Sequence, residues 1–429
     1  MRSVPDFHAD PPVADLPTGG GDGPVVVTAP GRGGSFGGWR SWVQRSVAAV
    51  RAVLLPWFVA RVIVVGVLLV SRVVVDHRHF SPATVARVHE GLLGWDAGWY
   101  EALAHYGYGL LGHQSLRFFP LFPLAARALA LATGISDGAS VVVLANLGAL
   151  VGTAMLVVLV ERETGDRRWA LRTAWLFSLA PPAFSLVMGY AEGPLLACTV
   201  GCFLALRPGA GTAVGAGTRV GAGTDRRPRW TWVVVSGFAA ALTRPLGGVL
   251  VLPVAVEALR GWRGWGWRTR WAAVAGVLAP VAGAGAFLAW SAAAFGNGLL
   301  PVTVQTQSGH HGGLSDPLRV LAHDALGAFH GHVGTALHVP WVVLVVALVV
   351  VCWRRLPAPY AAFATGIVLV ALSGTNLSSF ERYALSAFPL VMAASTFTAS
   401  TRVERTVLAV SAFGLACYAG LAFFNLLVP

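Results

Sequence analysis

Long apolar stretches separated by short, arginine-bearing connections make up most of the chain. The stretches are rich in Val, Leu and Ala and do not alternate apolar with polar residues, so the pattern predicts helices and not a barrel of strands. Runs of about 18 or more apolar residues are long enough to cross a bilayer. Counting two half-helices, we predict about eleven membrane-spanning segments. They are residues 53–75, 139–160, 171–188, 195–206, the two halves of 230–259, and residues 271–295, 339–353, 358–372, 383–398 and 406–427.

Two apolar stretches depart from a simple span. Residues 121–133 are fewer than the roughly 20 that a crossing needs, so we expect an interfacial or re-entrant helix there. Residues 230–259 form one long stretch that Arg244 and Pro245 interrupt. Both ends of this stretch are basic, so both are expected on the cytoplasmic side. Two half-helices that turn at Arg244 place both ends there. The predicted fold class is all-α: a polytopic integral membrane protein with a large first extracytoplasmic loop.

The basic connections assign each loop to one side of the membrane, since Arg and Lys are enriched in cytoplasmic loops. Residues 1–38 are rich in Pro and Gly and are expected to form a disordered cytoplasmic tail before a membrane domain of residues 39–429. The outer loops are then about residues 76–137 and 296–336. Residues 207–229 are predicted to be a flexible cytoplasmic loop.

Composition agrees with a membrane protein, because 55% of the residues are hydrophobic and only 12% are charged, against about 25% charged in soluble domains. The net charge of +12 comes from arginines that lie in the connections, which argues against nucleic acid as the partner. We therefore predict a multi-pass protein of the cell membrane that contacts membrane lipids. The four cysteines lie in or beside apolar runs and are expected to pack as small apolar side chains.

The first outer loop holds the densest group of polar-tipped aromatic residues, in the sequence GWDAGWYEALAHYGYGLLGHQSLRFFPLFPL from Gly94 to Leu124. Trp and Tyr favour the boundary between membrane and water. Asp96 lies between Trp95 and Trp99, and a carboxylate at this depth is either costly or functional. We interpret Asp96 as a catalytic carboxylate, and capping of the following helix is the structural alternative.

Under the predicted topology, polar side chains from several segments meet on the outer face. Transfer of a sugar from a polyprenyl phosphate to a hydroxyl needs one base for the proton and a cation beside the leaving phosphate, and it needs no acid. An arginine side chain can bind a phosphate with two parallel hydrogen bonds. The structural alternative is that these arginines only extend their charged ends towards the membrane surface. The converging residues are Asp96, Arg117, Tyr190, Glu192, Arg244, Gln305, Gln307 and Arg382.

Six segments between Gly94 and Leu390 resemble, in the same order, motifs of the PIG-V-like mannosyltransferases of the GT-C superfamily. They read WDAGWY with HYGY, FFPLFPL, APPAFSLVMGYAEGPL, ALTRPLG, FGNGLLPVTVQTQ and ERYALSAFPL. Asn297 and Gly298 stand where the family has an acid and a proline. The resemblance implies a GT-C-like fold and an inverting glycosyltransferase that takes mannose, or a similar hexose, from a polyprenyl-phosphate sugar.

The resemblance also implies that Asp96 is the general base, but it does not fix the acceptor. We predict transfer to a hydroxyl of a lipid, glycan or protein, and the predicted topology puts the site on the extracytoplasmic face. We predict no metal and no cofactor, and we expect the histidines of the second outer loop to be solvated. A non-catalytic membrane transporter or lipid-binding protein is the alternative. The residues expected to bind substrate are Trp95, Tyr100, Arg117, Tyr190, Glu192, Arg244, Gln305, Arg382 and Tyr383. The histidines are His310, His311, His323, His330, His332 and His338.

Overall fold

A computed structural model describes residues 35–207, 227–307, 312–327, 338–375 and 377–427. The structure is 83% helical, and its described part contains no β-strand, only an isolated bridge between Leu314 and Gly374. The predicted all-α class is therefore confirmed. Most of the predicted N-terminal tail and of the loop at 207–229, and parts of the loop at 296–336, lie outside the described residues.

Seventeen α-helices are found in the described residues, joined by short 3₁₀ turns. They are α1 Ser35–His77, α2 Pro82–Glu90, α3 Asp96–Tyr106, α4 Leu121–Thr133, α5 Asp137–Thr164, α6 Arg167–Leu179, α7 Glu192–Leu206, α8 Trp230–Thr243, α9 Val251–Gly261, α10 Trp267–Phe295, α11 Leu300–Gln305, α12 Pro317–Gly327, α13 His338–Arg355, α14 Ala358–Leu372, α15 Phe380–Ser386, α16 Phe388–Ser395 and α17 Thr401–Phe423. Two compact units are distinguished, Met1–Gln44 and Arg45–Pro429. All helices after α1 belong to the second unit.

Six helical segments are long and apolar enough to cross a membrane, judged by length and composition within the described residues. Four shorter apolar helices, α4, α7, α8 and α14, accompany them. The predicted count of eleven spans is not confirmed, because several predicted spans are short or broken. The six are Gln44–His77, Asp137–Thr164, Pro245–Gly264, Trp267–Phe295, His338–Arg355 and Thr401–Phe423.

Prolines break the helices that were predicted at 171–188 and 383–398. Helix α6 ends at Leu179, and the chain continues as a 3₁₀ turn over Pro181–Leu186, because proline cannot donate the hydrogen bond that a helix requires. Helices α15 and α16 are likewise separated at Ala387, just before Pro389. The predicted break between α8 and α9 is found at Arg244, whose backbone is extended.

The non-helical segment between α6 and α7 needs hydrogen-bond donors, since bilayer depth offers no water. Arg61 of α1 supplies one, because its Nη2 donates to the Leu186 carbonyl at 2.8 Å and its Nε donates to Asn146 Oδ1 at 2.8 Å. The Asn146 amide donates in turn to the Val187 carbonyl at 2.8 Å. Helices α1 and α5 therefore hold the segment that leads to α7.

Helices α5 and α7 approach each other closely where both carry glycine. A Cβ atom at Gly193 would lie 2.3 Å from the Ala145 carbonyl oxygen, and one at Gly148 would lie 2.5 Å from Pro194 N. Small residues allow membrane helices to approach this closely. The first turn of α7 is therefore pressed against α5, which fixes the position of Glu192.

Candidate active site

The breaks between helices bring ionised side chains from four distant segments together. Asp96 begins α3, Glu192 begins α7, Arg244 follows α8 directly, and Arg382 lies within α15. Arg382 Nη1 donates to Asp96 Oδ2 at 2.6 Å. Asp96, Glu192 and Arg244 therefore stand at or beside a helix end, whereas Arg382 lies inside the short helix α15.

A single carboxylate oxygen joins the two arginines. Glu192 Oε1 accepts a hydrogen bond from Arg244 Nη1 and lies 3.3 Å from Arg382 Nε. The remaining Arg382 nitrogen, Nη2, donates to Ser379 Oγ at 3.2 Å. The four charged residues thus form one chain of contacts in the order Asp96, Arg382, Glu192, Arg244.

This network of four charged side chains is buried around Glu192 and more exposed to solvent at its Asp96 end. The exposed fraction of the side chain is 3% for Glu192, 5% for Arg382 and 10% for Arg244, whereas it is 23% for Asp96. Glu192 Oε2 has no hydrogen-bond partner among the described residues. The network is therefore most exposed at its Asp96 end.

Aromatic rings surround the two arginines. The Arg382 guanidinium carbon lies 5.0 Å from the centre of the Tyr190 ring and 5.6 Å from that of Tyr383. The Arg244 guanidinium carbon lies 5.5 Å from the same Tyr383 ring. Cations over aromatic faces are stabilised within about 6 Å. The rings contact the flat faces of the guanidinium groups, so the N–H groups at the edges can point towards oxygen acceptors.

The arginines control the charge of Asp96. Burial alone would raise the pKa of its carboxyl, but the charges of Arg382, Arg117 and Arg244 together hold that pKa below its ordinary value. The phenol of Tyr100, 3% exposed and packed edge-on against Phe118 and Phe122, has its pKa raised by burial. At neutral pH the site therefore contains an ionised carboxylate and a neutral phenol.

Other predicted site residues lie farther from the Asp96 carboxylate. The Arg117 guanidinium carbon stacks 4.7 Å from the Phe118 ring and acts on Asp96 through its charge. Gln305 ends α11, which packs against the turn that carries Arg117. No described contact joins Gln305 to Asp96.

Trp95 has a structural anchor and a strained backbone. Its indole Nε1 donates to the Ala422 carbonyl of α17 at 3.0 Å, and the Arg87 guanidinium carbon lies 4.2 Å from its ring. Its φ is 60°, a left-handed value that residues other than glycine rarely adopt. Because α3 begins at Asp96 after Trp95, with no side-chain cap, the capping role considered for Asp96 is not found.

Several structural partners of the site were not predicted from the sequence. Arg61 and Asn146 support the segment before Glu192, and an Arg in the middle of an apolar stretch was the available signal. His338 is buried, and its Nδ1 lies 2.7 Å from Glu381 Oε1, so the expectation of a solvated histidine is wrong there. His323 is 87% exposed as expected.

To hold a metal ion, the described residues would need a cluster of ligand side chains. No group of three or more His, Cys, Asp or Glu side chains among them is arranged to hold an ion. The other histidines of the second outer loop, His310, His311, His330 and His332, lie outside the described residues. In the described part of the chain, the charged side chains around Asp96 form ion pairs with one another.

Comparison with known proteins gives similarity in structure alone. No protein-family model matches the chain, and no curated protein does. ArnT from Cupriavidus metallidurans bound to undecaprenyl phosphate is similar with a TM-score of 0.45 and 14% identity, over 92% of this chain and 77% of that one. The Archaeoglobus fulgidus oligosaccharyltransferase in complex with Zn and sulfate has a TM-score of 0.37 and 13% identity, over 90% and 52% of the two chains.

A third similar structure is the oligosaccharyltransferase AglB from Archaeoglobus fulgidus in complex with an inhibitory peptide and a dolichol-phosphate. Its TM-score is 0.35 at 12% identity, over 91% of this chain and 56% of that one. This chain thus spans about half the length of both oligosaccharyltransferases. Identities and TM-scores this low assign no activity to the chain, so the function has to be argued from the site.

Proposed function

We propose that the chain is an inverting glycosyltransferase of the cell membrane, with its site on the extracytoplasmic face. It transfers mannose or a similar hexose from a polyprenyl-phosphate sugar to a hydroxyl of a lipid, glycan or protein, and Asp96 is the general base. The observation that carries the proposal is one accessible carboxylate bonded directly to a buried arginine, Arg382, at 2.6 Å. The reaction requires a base and a phosphate-binding cation in the same site.

The charge of the site suits a phosphodiester. Three arginines, Arg382, Arg117 and Arg244, act on Asp96, and Glu192 is the second carboxylate of the network. The four residues in contact carry two positive and two negative charges, and Arg117, which acts on Asp96 through its charge, adds one further positive charge. A sugar linked to a lipid through one phosphate carries a single negative charge, and Arg binds phosphate oxygens through its planar fork.

The proposed reaction moves one proton and exchanges one bond. The acceptor hydroxyl gives its proton to Asp96 while its oxygen forms a bond to the anomeric carbon of the sugar. The bond from that carbon to the phosphate oxygen breaks, and its electron pair leaves with the lipid phosphate. Attack opposite the leaving group inverts the anomeric centre. No acid is needed, because the phosphate leaves as a stable anion that the arginines bind.

The lipid tail of such a donor needs apolar helices beside which it can lie in the bilayer. Six helical segments are long and apolar enough to cross a membrane, so a polyprenyl chain can lie alongside them in the bilayer. Tyr383 is only partly buried beside both arginines, and a Tyr ring suits the membrane boundary. The phosphate then reaches the network without leaving the membrane.

Sugar transfer from radiolabelled polyprenyl-phosphate mannose in membranes tests the proposal. Asp96→Asn is expected to reduce the rate roughly 10²- to 10⁴-fold, the usual contribution of a general base, because the amide cannot accept a proton. Asp137→Asn is the matched control, since Asp137 has a similarly exposed side chain and pairs with His105 away from the network. Near-normal transfer by the Asp96 variant would refute the assignment, and movement of lipid-linked sugar without transfer would favour a transporter.

A further inference from the structure

In the structure, Asp96 and Arg382 are bonded to each other through the same groups that the proposed reaction needs. Arg382 Nη1, the nitrogen that faces the more exposed end of the network, is bonded to Asp96 Oδ2 at 2.6 Å. A carboxylate paired with a cation in this way is a poor proton acceptor. The bond between the two side chains therefore has to open before Asp96 can act as a base or Nη1 can bind a phosphate.

Arg382 keeps its other contacts if that bond opens. Its Nε lies 3.3 Å from Glu192 Oε1, its Nη2 donates to Ser379 Oγ at 3.2 Å, and its guanidinium carbon lies 5.0 Å from the Tyr190 ring. These contacts use the other two nitrogens and the face of the guanidinium. Nη1 can therefore change its acceptor while the rest of the group stays in place.

We propose that the donor phosphate replaces Asp96 on Arg382 Nη1, and that this exchange frees the Asp96 carboxylate to act as the base. The proposal rests on the proposed function and adds a binding order, because the base is released only after the donor has bound. During transfer the proton neutralises Asp96 while the leaving phosphate gains one negative charge. Arg382 lies between the group that loses a negative charge and the group that gains it.

Equilibrium binding of undecaprenyl phosphate to the purified full chain tests the exchange without any need for an acceptor. Asp96→Asn is expected to bind this lipid about 5- to 30-fold more tightly than the wild type, as loss of a competing interaction of one or two kcal/mol implies. Asp137→Asn is the control with unchanged affinity, because its side chain is 25% exposed, close to the 23% of Asp96, and it pairs with His105.

Glu192→Gln provides the opposite expectation. It also removes one negative charge from the network, but it weakens the shared anchor of Arg244 and Arg382, so binding is expected to become weaker. A tighter complex in both the Asp96 and the Glu192 variant would overturn the exchange, because net charge alone would then set the affinity. Equal or weaker binding by Asp96→Asn would overturn it as well.

Transfer assays on the same preparations separate this inference from the proposed function. An inactive Asp96→Asn enzyme with unchanged lipid affinity refutes the exchange and leaves the glycosyltransferase assignment in place. An active Asp96→Asn enzyme refutes that assignment. If the Asn variant aggregates, Asp96→Ala repeats the binding measurement with the carboxylate removed by a smaller side chain, and the same outcomes decide.

Discussion

Glu192 is the residue whose loss we expect to cost the most stability in this site. Its carboxylate is 3% exposed and contacts the guanidinium groups of both Arg244 and Arg382. Removing one partner of a buried ion pair costs about 3–5 kcal/mol, because the remaining charges stay buried without compensation. Glu192→Gln keeps an acceptor oxygen, so we expect the lower end of that range, about 3 kcal/mol.

The melting temperature of the detergent-solubilised protein measures this effect. A change of 1 kcal/mol shifts the melting temperature of a domain of 150–250 residues by about 2–4 °C and that of a larger chain by less, so we expect a decrease of roughly 5 °C. Glu161→Gln is the control. Glu161 pairs with Arg167 at 2.9 Å on the surface, where both side chains are more than 40% exposed, and such pairs contribute about 0–1 kcal/mol. Equal melting temperatures for the two variants would refute the reasoning.

Three further predictions concern the cation, the support of the site and the topology. Arg382→Lys should keep part of the transfer activity and Arg382→Ala should lose it with a raised donor KM, since Lys keeps the charge without the fork; unchanged donor kinetics in the Ala variant would contradict the phosphate contact. Arg61→Gln should lower the melting temperature by a few degrees, because a charged donor to a buried carbonyl contributes about 1.5–3 kcal/mol; a wild-type melting curve would argue against that support. In a cysteine-free background, single cysteines replacing Leu110 or Leu314, which are 79% and 90% exposed, should react with an impermeant thiol reagent on intact cells. A cysteine replacing Arg168 should not react. The reverse pattern would show that the predicted topology is inverted.

Local sequence patterns predicted the elements that depend on local physics. The limits of Leu121–Thr133 and Ala358–Leu372 were predicted to the residue, because each is an apolar run bounded by prolines, glycines or polar residues. The break at Arg244 was predicted because a proline follows a charge within an apolar stretch. By contrast, the ends of α6 and α15 were missed, since their apolar runs continue through the prolines that stop the helices.

The pairing of side chains could not be predicted from such patterns. Asp96 and Arg382 are 286 positions apart, and the sequence indicated only that both face the same side. Arg382 was expected at the membrane surface between two spans, yet it lies inside α15 with 5% of its side chain exposed. Its partners depend on how α3, α7 and α15 pack, and a hydropathy pattern does not contain that information.

The contact of Trp95 with α17 has a consequence for engineering the chain. A left-handed backbone at a non-glycine residue costs about 1–3 kcal/mol and persists only where the surroundings impose it. Here the Ala422 carbonyl, near the end of α17, holds the indole of the residue directly before Asp96. Any truncation, split or circular permutation that detaches α17 would let Trp95 relax and turn Asp96 away from Arg382. A helix that contributes no side chain to the ion network is therefore part of the minimal unit that has to be expressed intact.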